Sequence, residues 1–128
     1  MKLLDTYVLI DFLRSRDEAV EIVRSAASAR EWIGASEITR FELLAGLRPG
    51  EEKETEQFSS ELGWVPVTEP IARQAASLAR RYRGSHGGIE DVDYLIAATA
   101  LELDATLMTT NVRHFPMFPG LEPAYRLA

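Results

Sequence analysis

The strongest constraint on the fold is an alternation: short apolar runs of strand character are each followed by a stretch whose apolar residues recur at helical spacing. Leu3-Leu4-Asp5-Thr6 is an apolar run ending in a polar turn, and it leads into Val8-Leu9-Ile10 and Phe12-Leu13, a short helix. A second helix is expected over residues 17–29, with Val20, Val23 and Ala27 near helical spacing and Asp17 as its cap. Trp32-Ile33-Gly34-Ala35 reads as the next strand. Ile38, Phe41, Leu44 and Ala45 then recur at helical steps until Gly46 and Pro49-Gly50 end the element. The charged run Glu51-Glu52-Lys53-Glu54-Thr55-Glu56 opens an exposed helix reaching Leu62-Gly63. Trp64-Val65-Pro66-Val67 is strand-like, and Pro66 places it at an edge or a strand end.

Pro70 starts a helix with Ile71, Ala75, Leu78, Ala79 and Tyr82 on one stripe, and Gly84-Ser85-His86-Gly87-Gly88 follows as a loop. From Val92 the positions Leu95, Ile96, Thr99, Ala100 and Leu103 give the clearest amphipathic pattern in the chain. Thr106-Leu107-Met108-Thr109 is a strand, residues 111–116 are a loop, and a last short strand is expected at Ala124-Tyr125-Arg126-Leu127. Strands alternating with helices imply an α/β sandwich with a largely parallel sheet. The ligand site of such a fold lies at the carboxyl ends of its strands.

At 128 residues, with 46% hydrophobic and 27% charged positions, the chain suits one compact globular domain over residues 1–128. No apolar run approaches the ~18 residues needed to span a bilayer. Asp5 arrives too soon for the apolar core of a secretory leader, so a cytoplasmic protein is expected. The absence of cysteine excludes disulfides, thiolate catalysis and cysteine zinc sites. A net charge of −6 argues against strong nonspecific attraction to nucleic acid. That objection weakens where several acids converge on a cation, which reverses the field a phosphate feels.

Three acids sit where this fold can bring them together: Asp5 after the first strand, Glu42 inside the helix after the second, and Asp93 in the first turn of the amphipathic helix. Mg²⁺ and Mn²⁺ are hard cations that prefer carboxylate oxygens, and phosphodiester cleavage needs an activated water and a phosphate whose charge is offset. No other residue offers a nucleophile with a base beside it. Each acid also has a structural reading. Asp5 can cap the helix after it, and Asp91 and Asp93 can answer the N-terminal dipole of theirs; for Asp91 the capping role is preferred. Glu42 is harder to explain as surface, because Phe41, Leu43 and Leu44 flank it.

The chain resembles the PIN domain, and within it the toxin component of VapBC toxin–antitoxin pairs. Leu4-Asp5-Thr6-Tyr7-Val8-Leu9-Ile10-Asp11 is similar to the family's first motif, and Thr39-Arg40-Phe41-Glu42-Leu43-Leu44-Ala45-Gly46-Leu47 to its second. Asp91-Val92-Asp93-Tyr94-Leu95-Ile96-Ala97-Ala98-Thr99-Ala100 matches the third, and Leu107-Met108-Thr109-Thr110-Asn111-Val112-Arg113-His114-Phe115 the fourth. Four motifs in order cover nearly the whole chain. The resemblance implies a PIN-like three-layer sandwich with Asp5, Glu42 and Asp93 as catalytic and metal-site acids. It further implies a Mg²⁺- or Mn²⁺-dependent endoribonuclease that acts as a toxin and inhibits translation. A homodimer is implied, with neutralisation by a small DNA-binding antitoxin of VapB type in a higher assembly. At the fourth motif many PIN domains carry an acid where this chain has Asn111, which offers a carbonyl oxygen but no charge.

The alternative of another class is a PIN-type module that binds RNA or a protein without cutting. A phosphate-cradling GxxxxGK[ST] loop is absent, as is the second Asp that dehalogenase-type phosphatases would place after Asp5-Thr6. Thr6 and Thr109 are candidates for supporting hydroxyls that orient the carboxylates. Arg113 and His114 are placed near substrate by their nearness to Asn111, while His86 reads as exposed. The basic run Arg80-Arg81-Tyr82-Arg83 offers phosphate contacts with a stacking ring, but its preferred reading is a helix end complementing its own dipole.

Overall fold

The computed structural model describes residues 1–126. Four strands, β1 (Lys2–Leu4), β2 (Ile33–Ser36), β3 (Gly63–Val65) and β4 (Thr106–Met108), form one sheet in the order β3-β2-β1-β4. Every pairing is parallel. The helices are α1 (Thr6–Leu13), α2 (Asp17–Ser28), α3 (Glu37–Ala45), α4 (Glu52–Ser59), α5 (Glu69–Tyr82) and α6 (Asp91–Leu103).

The layers follow from side-chain alternation along the central strand. Leu4 points into a cluster with Val8, Leu9, Ala19, Ala26, Ile33 and Leu43, on the α1–α2 side. Its neighbour Leu3 points the other way, onto Ile96, Ala97, Ala100 and Leu107. Beyond these, α5 packs on α6 through Ile71, Ala75, Ala79, Tyr94 and Ala98. The result is the three-layer, parallel-sheet sandwich expected from the alternation of elements. As Pro66 indicated, β3 is an edge strand.

Several local expectations need correction. In α3 the buried positions are Thr39 and Leu43, while Phe41 and Leu44 are 64% and 42% exposed. The helix is anchored by the row that follows its serine cap, and its largest apolar side chains face outward. In α2 the buried residues are Ala19 and Ala26, with Val23 of the expected row and Ile22 half-buried against the same core, while Ala27 is exposed and Arg16 rather than Asp17 holds the cap position. Helix α6 is not an amphipathic surface helix. It is buried from Ile96 through Ala100 because the sheet covers one side and α5 another. Glu90 rather than Asp91 is its cap residue, and Asp91 is exposed and paired with Arg83 at 2.6 Å. No strand forms over residues 124–126, and Leu127 lies outside the described residues.

One contact between strands depends on glycine. A Cβ on Gly34 would stand 2.2 Å from the Gly63 carbonyl oxygen and 2.7 Å from the Trp32 ring. The obstacle is the backbone of the adjacent strand, so rotamer changes cannot relieve it. Gly34→Ala is therefore expected to cost about 1–3 kcal/mol and lower the melting temperature by roughly 5–10 °C. An unchanged thermal transition would contradict this packing.

Candidate active site

Strand order places the site. The chain leaves β1 toward β2 and β3 on one side and returns to β4 on the other, so a crevice opens beyond the carboxyl ends of β1 and β4. Asp5 follows β1 directly, and its N–H continues the ladder to the Met108 carbonyl of β4 at 2.9 Å. Thr109 follows β4. Its hydroxyl donates to Asp5 Oδ2 at 2.7 Å, while Asp5 Oδ1 accepts the Thr6 N–H at 2.8 Å as the cap of α1. The capping reading of Asp5 thus holds together with its position at the strand end.

Glu42 reaches the same crevice from the middle of α3. Its Oε1 accepts the Thr6 hydroxyl at 2.6 Å, and that hydroxyl also meets Thr39 at 3.2 Å. Asp93 comes from the first turn of α6, where its Oδ2 accepts the Glu90 N–H at 3.0 Å and lies 3.0 Å from His114 Nδ1. Asp5, Glu42, Asp93, Glu90 and His114 line one cavity of about 30 Å³. That is room for a single small ion or water. A groove of about 300 Å³ between α1, α2 and α4 is larger, but its acids Glu54 and Glu61 are solvent-exposed, whereas the small cavity holds the buried Asp5 and the half-buried Glu42 and Asp93.

Burial controls the charge at this site. Desolvation holds the carboxyls of Asp5 and Asp93 above the usual carboxylate range. Hydrogen bonds from Thr109 and Thr6 pull Asp5 back down, and the Glu90 N–H and His114 do the same for Asp93, yet neither set outweighs burial. The acids also raise one another, Asp93 acting on Asp5 and Glu42 on Asp93.

Raised acids make the cation-free protein lose stability as pH rises. The contribution of Asp5 is fully present below its unfolded pKa of about 3.9 and is lost as pH climbs through the higher folded value. Asp5→Asn exchanges one acceptor oxygen for a donor, a cost that does not vary with pH, so its melting temperature relative to the parent should rise as pH climbs from 4 to 7. Thermal melts across that range in a chelating buffer check this, and a difference that stays constant or moves the other way would contradict it.

Among the described residues, no three acids or histidines are already drawn close enough to grip a metal ion. Asp5, Glu42 and Asp93 each accept hydrogen bonds from protein donors. The donor chemistry still fits a hard divalent cation. Four acidic residues, Asp5, Glu42, Glu90 and Asp93, and no sulfur line one small cavity, and Glu42 Oε2 and Asp93 Oδ1 make no hydrogen bond among the described residues.

Of the residues singled out from the sequence, Asp5, Glu42, Asp93 and Thr6 line the cavity, and Thr109 supports it from behind. Asn111 does not line it. Its backbone N–H donates to the Thr109 hydroxyl at 3.0 Å, and its side chain faces a neighbouring pocket. His114 is at the cavity, whereas Arg113 and His86 are exposed. Arg80 and Arg81 occupy the last turn of α5, as the dipole reading expects. Sequence reasoning missed Glu90 and Tyr7 as cavity walls. The position of Glu90 just before an apolar run, three residues ahead of Asp93, is the signal that marks a helix start.

The chain is similar to known proteins along nearly its whole length. A PIN domain profile matches residues 2–118. Ribonuclease VapC19 of Mycobacterium tuberculosis is 56% identical over 125 residues, covering 98% of this chain and 100% of that protein. Ribonuclease VapC10 of the same organism is 39% identical over 118 residues, 85% of this chain and 89% of its own. A chain of a toxin–antitoxin complex from Klebsiella pneumoniae superposes with a TM-score of 0.81 at 26% identity, covering 99% of this chain and 100% of that one.

Proposed function

Because the chain belongs to the PIN domain family, we propose that it is an endoribonuclease, the toxin of a type II toxin–antitoxin pair, acting as one unit over residues 1–128. The observation that carries the reading is the convergence of Asp5, Glu42 and Asp93 on one desolvated cavity at the strand ends. These three residues would hold Mg²⁺ or Mn²⁺. When bound, that cation supplies the polarisation that makes a water nucleophilic and offsets the charge of the scissile phosphate.

The chain's own residues provide the geometry. Thr109 and the Thr6 N–H fix both oxygens of Asp5, and the Thr6 hydroxyl fixes Glu42. Asp93 is fixed by the first turn of α6. Such anchoring keeps acids that repel one another within reach of a common point. His114 lines the cavity beside Asp93, its Nδ1 3.0 Å from Asp93 Oδ2, within reach of a phosphate held there.

Cleavage of cellular RNA in the cytoplasm inhibits translation, and a small cognate antitoxin silences the enzyme. The pairing is supported by the structural likeness to a chain of a toxin–antitoxin complex. The exposed side chains of Phe41 and Leu44 on α3 favour burial in a homodimer or against that antitoxin. No helix among the described residues is long and apolar enough to cross a membrane.

The test is cleavage of mixed cellular RNA with Mg²⁺ or Mn²⁺ and with a chelator. Fragments that appear with the cation and vanish with the chelator are expected. RNA that is bound but left intact under both conditions would point instead to a non-cleaving module.

A further inference from the structure

Beside the carboxylate cavity lies a second pocket of about 270 Å³, walled by Tyr7 and Asp11 of α1 and by Thr110 and Asn111 of the loop after β4. Tyr7 lines the carboxylate cavity as well, so the two spaces adjoin at that residue. Tyr7 and Asp11 are one helical turn apart and thus occupy the same face of α1. The Tyr7 ring is 60% exposed. One Asp11 oxygen, Oδ2, accepts the Tyr125 hydroxyl at 2.6 Å, which fixes the carboxylate and leaves Oδ1 open. Across the pocket, the backbone of Asn111 is held by the Thr109 hydroxyl and by the His114 N–H, while its side-chain amide has no hydrogen-bond partner among the described residues.

A flat exposed ring, an unengaged amide and an oriented carboxylate form a poor phosphate site, because Asp11 repels an anion. They suit a nucleobase, which stacks by its face and is read along its edge. A carboxylate accepts N–H groups, and guanine alone presents N1–H and the N2 amino group side by side. Uracil would turn two carbonyls toward Asp11, and adenine and cytosine each offer a single amino group. The asparagine amide, which both donates and accepts, complements the remaining polar edge.

We propose that this pocket binds the nucleobase adjoining the scissile phosphate and selects guanine, Tyr7 stacking on the base and Asp11 and Asn111 reading its edge. The proposal rests on the ribonuclease reading and deepens it.

Two measurements test it. In the first, a randomised RNA is cut by the parent protein, Tyr7→Ala and Asp11→Asn in Mn²⁺, and the ends are mapped. The parent should show guanine enriched at one fixed position beside the cut. Asp11→Asn, which can still accept the Tyr125 hydroxyl, should lose at least tenfold of that preference, and Tyr7→Ala should lower kcat/KM at preferred sites by about tenfold or more. In the second, GMP, AMP, CMP and UMP are titrated into the cation-free protein by NMR, where GMP should shift the Tyr7 and Asn111 signals at the lowest concentration.

Cleavage by the parent without a guanine preference, or with one that Asp11→Asn keeps in full, overturns the subsite and leaves the ribonuclease reading standing. Absence of any cleavage, with GMP still bound selectively at Tyr7 and Asn111, overturns the ribonuclease reading and keeps the subsite. Absence of both overturns both. Melting curves of the two variants, altered at an exposed ring and by an isosteric amide, report any loss from unfolding.

Discussion

Asp93→Asn is expected to lower RNA cleavage by about 10²-fold or more while leaving the melting temperature of the cation-free protein unchanged or raised. Asparagine keeps the side-chain oxygen that accepts the Glu90 N–H at the start of α6, so the cap survives. What is lost is a charged oxygen ligand at a cavity whose other acids, Asp5 and Glu42, cannot supply the missing charge. Glu42→Gln should behave in the same way, because glutamine keeps an oxygen to accept the Thr6 hydroxyl, and Asp5→Asn should lose cleavage as well while giving up one of the two acceptor oxygens that Thr6 and Thr109 engage. Asn111→Ala should cost less than any of the three, since Asn111 faces the neighbouring pocket and carries no charge. The opposite pattern, about 0.5–2 kcal/mol of lost stability with activity nearly intact, is what helix caps without a catalytic role would give. Cleavage rates and thermal melts on the same four proteins separate the two.

The second large effect is expected at a residue that carries no charge. Thr109 is fully buried, and its hydroxyl is at once the donor to Asp5 Oδ2 and the acceptor of the Asn111 N–H. Thr109→Val keeps the shape and removes both bonds. Cleavage should fall by roughly 10–100-fold, the range for hydrogen-bond partners behind a metal site. The Thr109 hydroxyl is the largest influence holding the Asp5 carboxyl down against burial, so its loss should raise that carboxyl further. The acidic limb of the pH–rate profile should then move to higher pH, which a merely structural role would not produce. Thr109→Ser should restore both rate and profile, and a valine variant with an unmoved profile would count against this positioning role.

The fold was legible in the sequence wherever a signal is local. The runs around Leu3-Leu4, Ile33 and Leu107, each followed by helical spacing, led to a parallel sheet because parallel strands need crossover helices. Pro66 located the edge strand. Local pattern failed where burial is decided by what packs from outside. Phe41 and Leu44 look like the inward row of α3, but Thr39 and Leu43, one turn apart, are the buried positions. Helix α6 looked amphipathic and is buried on both sides, which no spacing within residues 91–103 reveals.

The candidate site divides in the same way. Asp5, Glu42 and Asp93 are the acids of their respective motifs, and Thr6 and Thr109 were legible as neighbours of acids or strand ends. Tyr7 and the Asp11–Tyr125 bond were not, because each depends on a long-range placement, α1 against the loop after β4 and the C-terminal residues against α1, whereas Glu90 carried a local signal as the cap three residues ahead of Asp93. Asn111 was read from its motif as a supporting or substrate-near residue, with a carbonyl oxygen but no charge. The Thr109 hydroxyl holds its backbone so that the side chain faces the adjoining pocket.

Calorimetric titration of Mn²⁺ into the parent protein and into Asp93→Asn, with RNA cleavage measured on the same samples, tests the central claim most directly. The claim predicts saturable Mn²⁺ binding and cleavage in the parent, and at least tenfold weaker binding together with loss of cleavage in the variant. An Asp93→Asn protein that binds Mn²⁺ as tightly as the parent and cuts RNA at the parent rate would contradict it.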